Sequence, residues 1–233
     1  MPRMKRLSAP GLIALVGLLA MTACAADQVT ASGSTVTSTT IKTSTTIKTS
    51  TATSTRCEVD DGTAAALEPL LTDNLPAGYE RAPDAAEDTG PTDLRLAAFF
   101  VGGPDEKAVL SGLGYRRGYQ RLWYPPDGGG NDLIVHLYEF CDAKGAAAYL
   151  RHTRERLVSP LWGSVEVDAG LPEPAVALLQ EVDSGGESFV GVLRVHGPFY
   201  VEIGAYGGPA GETIDTLVAR ARGLSTTQVA ELP

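Results

Sequence analysis

Five residues of YRRGYQRLWY, residues 115–124, are spaced in a way that can do chemistry: Tyr115, Arg117, Tyr119, Arg121 and Trp123. Alternate side chains of an extended strand share one face, so two guanidinium groups would stand between aromatic rings. Facing a cleft, Arg117, Tyr119, Arg121 and Trp123 would grip an anionic group by charge and stacking. Facing a core, the same arginines must run their stems to the surface or meet carboxylates. Spacing alone leaves both arrangements open, and these four are the candidate binding residues.

Other reactive patterns are weaker. No serine sits in the GxSxG elbow of a hydrolase nucleophile. The three histidines, His136, His152 and His196, show neither HxH nor HExxH spacing, so no metal site and no cofactor are expected. DGGGND, from Asp127, reads as a hairpin connection. GGPAGET, from Gly207, precedes a helix whose free N–H groups suit an anion, but it lacks the lysine of a phosphate loop. Glu139, Glu181 and Glu202 are the acids that a cofactor-free hydrolase would draw on, two of them facing one another across a pocket.

The cysteines point to a compartment. Residues 1–23 carry Arg3, Lys5 and Arg6, then a short apolar run from Leu12 to Ala20 and small residues, which is the pattern of an export signal. The segment Met21-Thr22-Ala23-Cys24 resembles the lipobox of bacterial lipoproteins, with methionine where leucine is usual. The resemblance implies that Cys24 receives a diacylglyceryl group and becomes the first mature residue. Ordinary cleavage among these small residues, releasing a soluble protein, is the competing outcome. With Cys24 lipidated, Cys57 and Cys141 remain as an even pair in an oxidising compartment, and a disulfide between them is expected. The alternative is that Cys141 is a buried thiol.

The chain carries a net charge of −9, and residues 57–233 alone hold 13 basic against 27 acidic residues, or −14. Such a body is not built to bind nucleic acid, nor to lie on an anionic lipid surface through its overall field.

Three regions follow. After the signal, residues 24–56 form an anchor and tether: from Thr30 to Thr55, 18 of 26 residues are Ser or Thr, and TSTTIK occurs twice in tandem. So little apolar surface cannot offset ordering entropy, so a disordered spacer averaging about 30 Å end to end is expected. Residues 57–233 then suffice for one domain with a core. A short helix is expected near Thr63–Leu71, one starting at Pro91, and one after Pro104 that ends at Gly114. A hairpin of two strands, 115–124 and 133–141, runs into a helix capped by Asp142. The order recurs downstream, where strands 188–195 and 199–206 precede a helix 212–222 that stops at Gly223. Another strand covers Val176–Val182. The pattern is α+β, an antiparallel sheet packed by helices, and the recurrence allows two related strand-strand-helix halves.

LPAGY at Leu75, GYRRGYQRLWY at Gly114 and YEFCDAKGAAAYL at Tyr138 resemble a group of exported actinobacterial lipoproteins over roughly residues 70–225. These are packing and turn motifs, and the likeness brings no activity. The expected protein is a membrane-anchored extracytoplasmic module that binds or senses without catalysis. Its partners would be the membrane, through the diacylglyceryl anchor, and an envelope protein or small ligand. A hydrolase of envelope material and a structural part of an envelope complex are the alternatives.

Overall fold

The computed structural model describes residues 57–83, 89–103, 105–125, 132–182, 187–207 and 213–233. The signal, Cys24, the tether, Pro104 and most of both glycine runs lie outside the described residues.

A 3-10 helix, Asp61–Leu70, opens the domain. Short strands β1 (Glu80–Arg81) and β2 (Gly90–Thr92) follow, then helices α1 (Leu94–Val101) and α2 (Glu106–Gly112). The hairpin β3 (Tyr115–Tyr124) and β4 (Leu133–Phe140) leads into α3 (Ala143–Leu157). Strands β5 (Val165–Val167), β6 (Ala175–Val182), β7 (Glu187–His196) and β8 (Phe199–Gly207) precede α4 (Ile214–Ala230). All pairings are antiparallel, in the order β1-β3-β4-β8-β7-β6-β5, with β2 also on β3. The fold is α+β, as its sequence pattern implies.

Both faces of this sheet are covered. Leu133, Val135 and Leu137 of β4 pack with Val201 and Ile203 of β8 beneath Leu217, Ala221 and Leu224 of α4. Tyr138 and Phe140 point the other way, into a second core with Tyr200, Ala97, Leu110, and Ala146 and Tyr149 of α3. Every residue of β4 is therefore buried. The strand-strand-helix order recurs as expected, but α3 and α4 lie on opposite faces of the sheet. A rotation relating the hairpins across the β4–β8 pair would put both helices on one face, so the halves are not repeats of one packing unit.

Two helix boundaries differ from the sequence reading. Pro91 is extended and pairs with Tyr119 in β2; α1 begins after Asp93, whose carboxylate accepts the Leu96 N–H at 2.6 Å. At the other end of the chain, α4 runs through Gly223 for another seven residues. Leu217, Ala221, Leu224, Ser225 and Gln228 form one buried stripe, and this burial outweighs the roughly 1 kcal/mol that glycine costs inside a helix. Gln228 locks the extension: its Nε2 donates to the Leu70 carbonyl at 2.7 Å and its Oε1 accepts from the Thr72 N–H at 3.0 Å.

Cys57 and Cys141, 84 positions apart in sequence, are joined, with Cα atoms 5.8 Å apart. Loop-closure entropy over that span is worth about 4–5 kcal/mol. Beside the bridge α3 begins at its Asp142 cap, where Gly145 lies so close to α2 that an added Cβ would overlap the Leu113 carbonyl oxygen. Gly145→Ala is thus expected to lower stability by about 2–3 kcal/mol. Gly223→Ala, with open space around the new methyl, should raise it by about 1 kcal/mol. Urea unfolding midpoints of the two variants check both signs.

Candidate functional site

The proposed Arg–aromatic face is not a surface in this structure. A one-residue bulge between Tyr115 and Arg117 sends Tyr115 into the α3-side core, while Tyr119 and Trp123 enter the α4-side core at 3% and 1% exposure. The bulge sets consecutive arginines opposite one acid, and Arg116 and Arg117 donate to Glu139 at 2.7 and 2.6 Å. Arg117 also donates to the Thr63 carbonyl and hydroxyl oxygens. Arg121, buried, donates to Asp73 at 3.0 Å and Glu68 at 3.2 Å. The arginines meet carboxylates, the second of the two arrangements open to this strand. They pin the 3-10 helix and the segment after it against β3.

The opposite face collects titratable groups that lie far apart in sequence. Gln120, His136 and Glu202 are direct cross-strand partners on β3, β4 and β8, so their side chains form one row on the α3 side of the sheet. His136 is buried, its Nδ1 is 3.2 Å from the Tyr138 hydroxyl, and the Phe100 ring of α1 meets it edge-on at 4.8 Å. Loss of hydration pushes its pKa down to about 4. Glu202 is half-buried and accepts from the Tyr200 hydroxyl at 3.1 Å. Burial raises its pKa to about 7, and the Tyr200 hydrogen bond works against the rise. Near neutral pH the row thus pairs an uncharged imidazole with a carboxyl group poised to gain or lose a proton.

Tyr200 continues the network toward the helices. Its ring meets Tyr149 at 4.8 Å, and Tyr149 lies 6.1 Å from the His152 ring. His152 Nε2 and Arg156 both reach the fully buried carboxylate of Glu106 at 2.9 Å, joining α2 to α3. Burial first, and the Glu106 charge second, keep the Tyr149 phenol protonated.

Of the acids named for hydrolysis, Glu202 is in this row and Glu139 is on the opposite face, already held by two arginines; the Glu181 side chain lies outside the described residues. Glu139 and Glu202 therefore cannot flank one substrate. Two hollows among the described residues, about 180 and 310 Å³, lie along residues 166–177 and beside α4, away from the row. No group of three or more His, Cys, Asp or Glu residues among the described residues is placed to hold a metal. His136 was legible only as a strand residue. The pairing of β4 with β8 makes it a neighbour of Glu202, and residue spacing does not contain that pairing.

The described geometry defines an α+β domain with a buried acid–imidazole row. No protein-family model and no curated protein matches the chain. Among solved structures it is similar to the extracellular domain of PknH from Mycobacterium tuberculosis, with a TM-score of 0.44 and 14% identity over 76% of this chain and 97% of that one. It is also similar to a protein from Bacteroides thetaiotaomicron VPI-5482, with a TM-score of 0.35 and 10% identity over 64% and 42% of the two chains. Likenesses this remote carry no functional argument.

The row makes a signed prediction for stability. Glu202, raised from 4.5 to about 7, favours the folded state fully below pH 4.5, and that contribution is lost as pH climbs through 7. His136, lowered from 6.5 to about 4, acts oppositely: its contribution is complete above pH 6.5 and is lost as pH falls through 4. Between pH 4.5 and 6.5 the two slopes, each approaching about 1.4 kcal/mol per unit, offset one another. Against wild type, Glu202→Gln should therefore tilt stability upward with pH across this window, and His136→Asn should tilt it downward. Denaturant titrations at stepped pH measure both; parallel curves for all three proteins would contradict the row's energetics.

Proposed function

We propose that this chain is a lipid-anchored extracytoplasmic module that binds or senses without catalysis. One observation carries the reading most directly: the Cys57–Cys141 bridge belongs to an oxidising compartment, which is where the export signal and the lipobox-like segment ending at Cys24 would deliver the domain. Among the described residues no helix is long and apolar enough to cross a membrane; in this reading a lipidated Cys24 attaches the domain. Two acyl chains hold a protein stably where one alone is marginal, each buried methylene contributing about 0.8 kcal/mol.

Within this reading the Gln120–His136–Glu202 row is the responsive element. Its proton content changes near neutrality, and Phe100 and the Glu106 clamp link it to α1, α2 and α3. The hydrolase alternative has Glu202 as an acid of suitable pKa, but Glu139, the other named acid whose side chain is described, is held by two arginines on the opposite face of the sheet.

Detergent phase partitioning of the native protein tests the anchor. The wild type should enter the detergent phase with a mass increase for a diacylglyceryl-modified Cys24, and Cys24→Ala should stay aqueous. Denaturation without reductant should expose no free thiol in the lipidated form. A native chain found unmodified in the aqueous phase with two labelled cysteines would overturn the proposal.

A further inference from the structure

Between Glu106 and Glu202 the α3-side core holds a line of three hydroxyl groups, those of Tyr149, Thr153 and Tyr200. Tyr149 and Thr153 stand one turn apart on α3, and both are fully buried. The Tyr149 phenol lies beside the Glu106 carboxylate and the Thr153 hydroxyl. Thr153 lies also beside the Tyr200 phenol, whose ring is 4.8 Å from that of Tyr149. Tyr200 donates to Glu202 at 3.1 Å. Along this line Glu106 Oε1, Tyr149 Oη and Thr153 Oγ1 are buried without a hydrogen-bond partner among the described residues. A threonine inside a helix often bonds the carbonyl one turn back; Thr153 does not, which leaves its hydrogen for the line.

A count of hydrogens decides what the line can do. Glu106, Tyr149, Thr153, Tyr200 and Glu202 are five groups in sequence and so make four links. Each link needs one hydrogen, and the three hydroxyls bring three. With a carboxylate at each end both ends only accept, and one contact is left with oxygen lone pairs facing each other. A proton on Glu202 makes up the number: Glu202 donates to Tyr200, Tyr200 to Thr153, Thr153 to Tyr149, and Tyr149 to Glu106. The other groups facing Glu202 are uncharged at neutral pH. They are Gln120 of β3, His136 and Tyr138 of β4, Leu193 of β7, and the Phe100 ring of α1 above His136. Among the described residues no Lys or Arg bears on the Glu202 carboxyl, which has burial and the Tyr200 hydroxyl as its influences.

We infer that this line is a proton relay between the sheet and the helices: when Glu202 gains a proton the hydroxyls turn in series, and the Glu106 clamp between α2 and α3 gains the Tyr149 hydrogen bond. Tyr149, Thr153 and Tyr200 are its positioning residues. The inference deepens the reading of the row as a responsive element and rests on that reading for its use. At the far end Glu106 Oε2 holds His152 and Arg156, both at 2.9 Å. The Arg156 guanidinium in turn fills the place that a Cβ on Gly103 would take, between α1 and α2. A proton gained under β8 is thus felt where those two helices meet. Burial pushes the Glu202 carboxyl up to about 7, so the line is complete below that pH and short of a hydrogen above it.

Full-length protein in detergent micelles, with an NMR-active carbon isotope in its glutamate carboxyl groups, tests the relay by titration. Glu202→Gln identifies the Glu202 signal by its loss. Thr153→Val and Tyr149→Phe each cut the line and leave as many hydrogens as links. The Glu202 midpoint should therefore fall by about one pH unit in both, the worth of one hydrogen bond. Tyr200→Phe takes away the donor to Glu202 and should raise it. If burial alone set the midpoint, each lost hydroxyl would leave less polar surroundings and move it upward. A water completing the links would leave it unmoved. Either result in Thr153→Val and Tyr149→Phe would rule the relay out. In the wild type the Arg156 side-chain N–H signal should follow the Glu202 midpoint, and Thr153→Val should uncouple the two; an Arg156 signal indifferent to Glu202 in the wild type would equally defeat the inference. The titration reads the relay whether or not Cys24 carries lipid, and phase partitioning reads the anchor, so each can fail without the other.

Discussion

Two-sided burial of β4 is the constraint from which the rest of the domain follows. A strand flanked by β3 and β8 and roofed by helices on both faces has no side on which to leave a polar group in water. Its odd-numbered aliphatic residues fill the α4-side core, and its even positions, His136 and Tyr138 among them, must find partners on the α3 side. Proton affinities shift there because solvent is missing and the groups that replace it are few. The acid–imidazole row is thus a product of architecture as much as of residue type.

The elements were largely legible in the sequence. Alternation marked β3, a run of β-forming residues marked β4, Asp142 marked the start of α3, and an even pair of cysteines marked a bridge that the structure contains. Face assignment was less accessible. The bulge at Arg116 breaks the period of two, so Tyr115 and Tyr119 point to opposite faces although their spacing puts them on one. Whether Arg121 met a ligand or a carboxylate depended on Glu68 and Asp73, some fifty residues upstream, and local spacing holds no information on that encounter. The row depended likewise on β8 pairing with β4 across a long connection. Gly223 misled for a different reason: propensity is local, and the buried stripe that carried α4 past it is a tertiary effect.

Charge is segregated as firmly as apolar surface. Carboxylates dominate the domain in total, yet those that touch β3 are spent on arginines, Glu139 on two of them and Glu68 on Arg81 and Arg121. Helices α1, α2 and α3 carry six basic residues against Glu106, Glu155 and the exposed caps Asp93, Asp105 and Asp142, and Glu106 is withdrawn into the interior, where it joins α2 to α3. A count over the whole chain averages these regions away, which is why a net charge of −14 describes no single face of the molecule.

The cystine has a mechanical consequence. Any tug arriving along the leading segment reaches Cys57 and crosses the sulfur bridge to Cys141, the junction between the most deeply enclosed strand and the helix that follows it. The 3-10 helix, which begins only four residues after Cys57, is left as a slack branch off that load path. Traction on that segment would therefore be borne by the strand that is buried along its whole length, and the segment that lids Arg117 and Arg121 would not be peeled away by it.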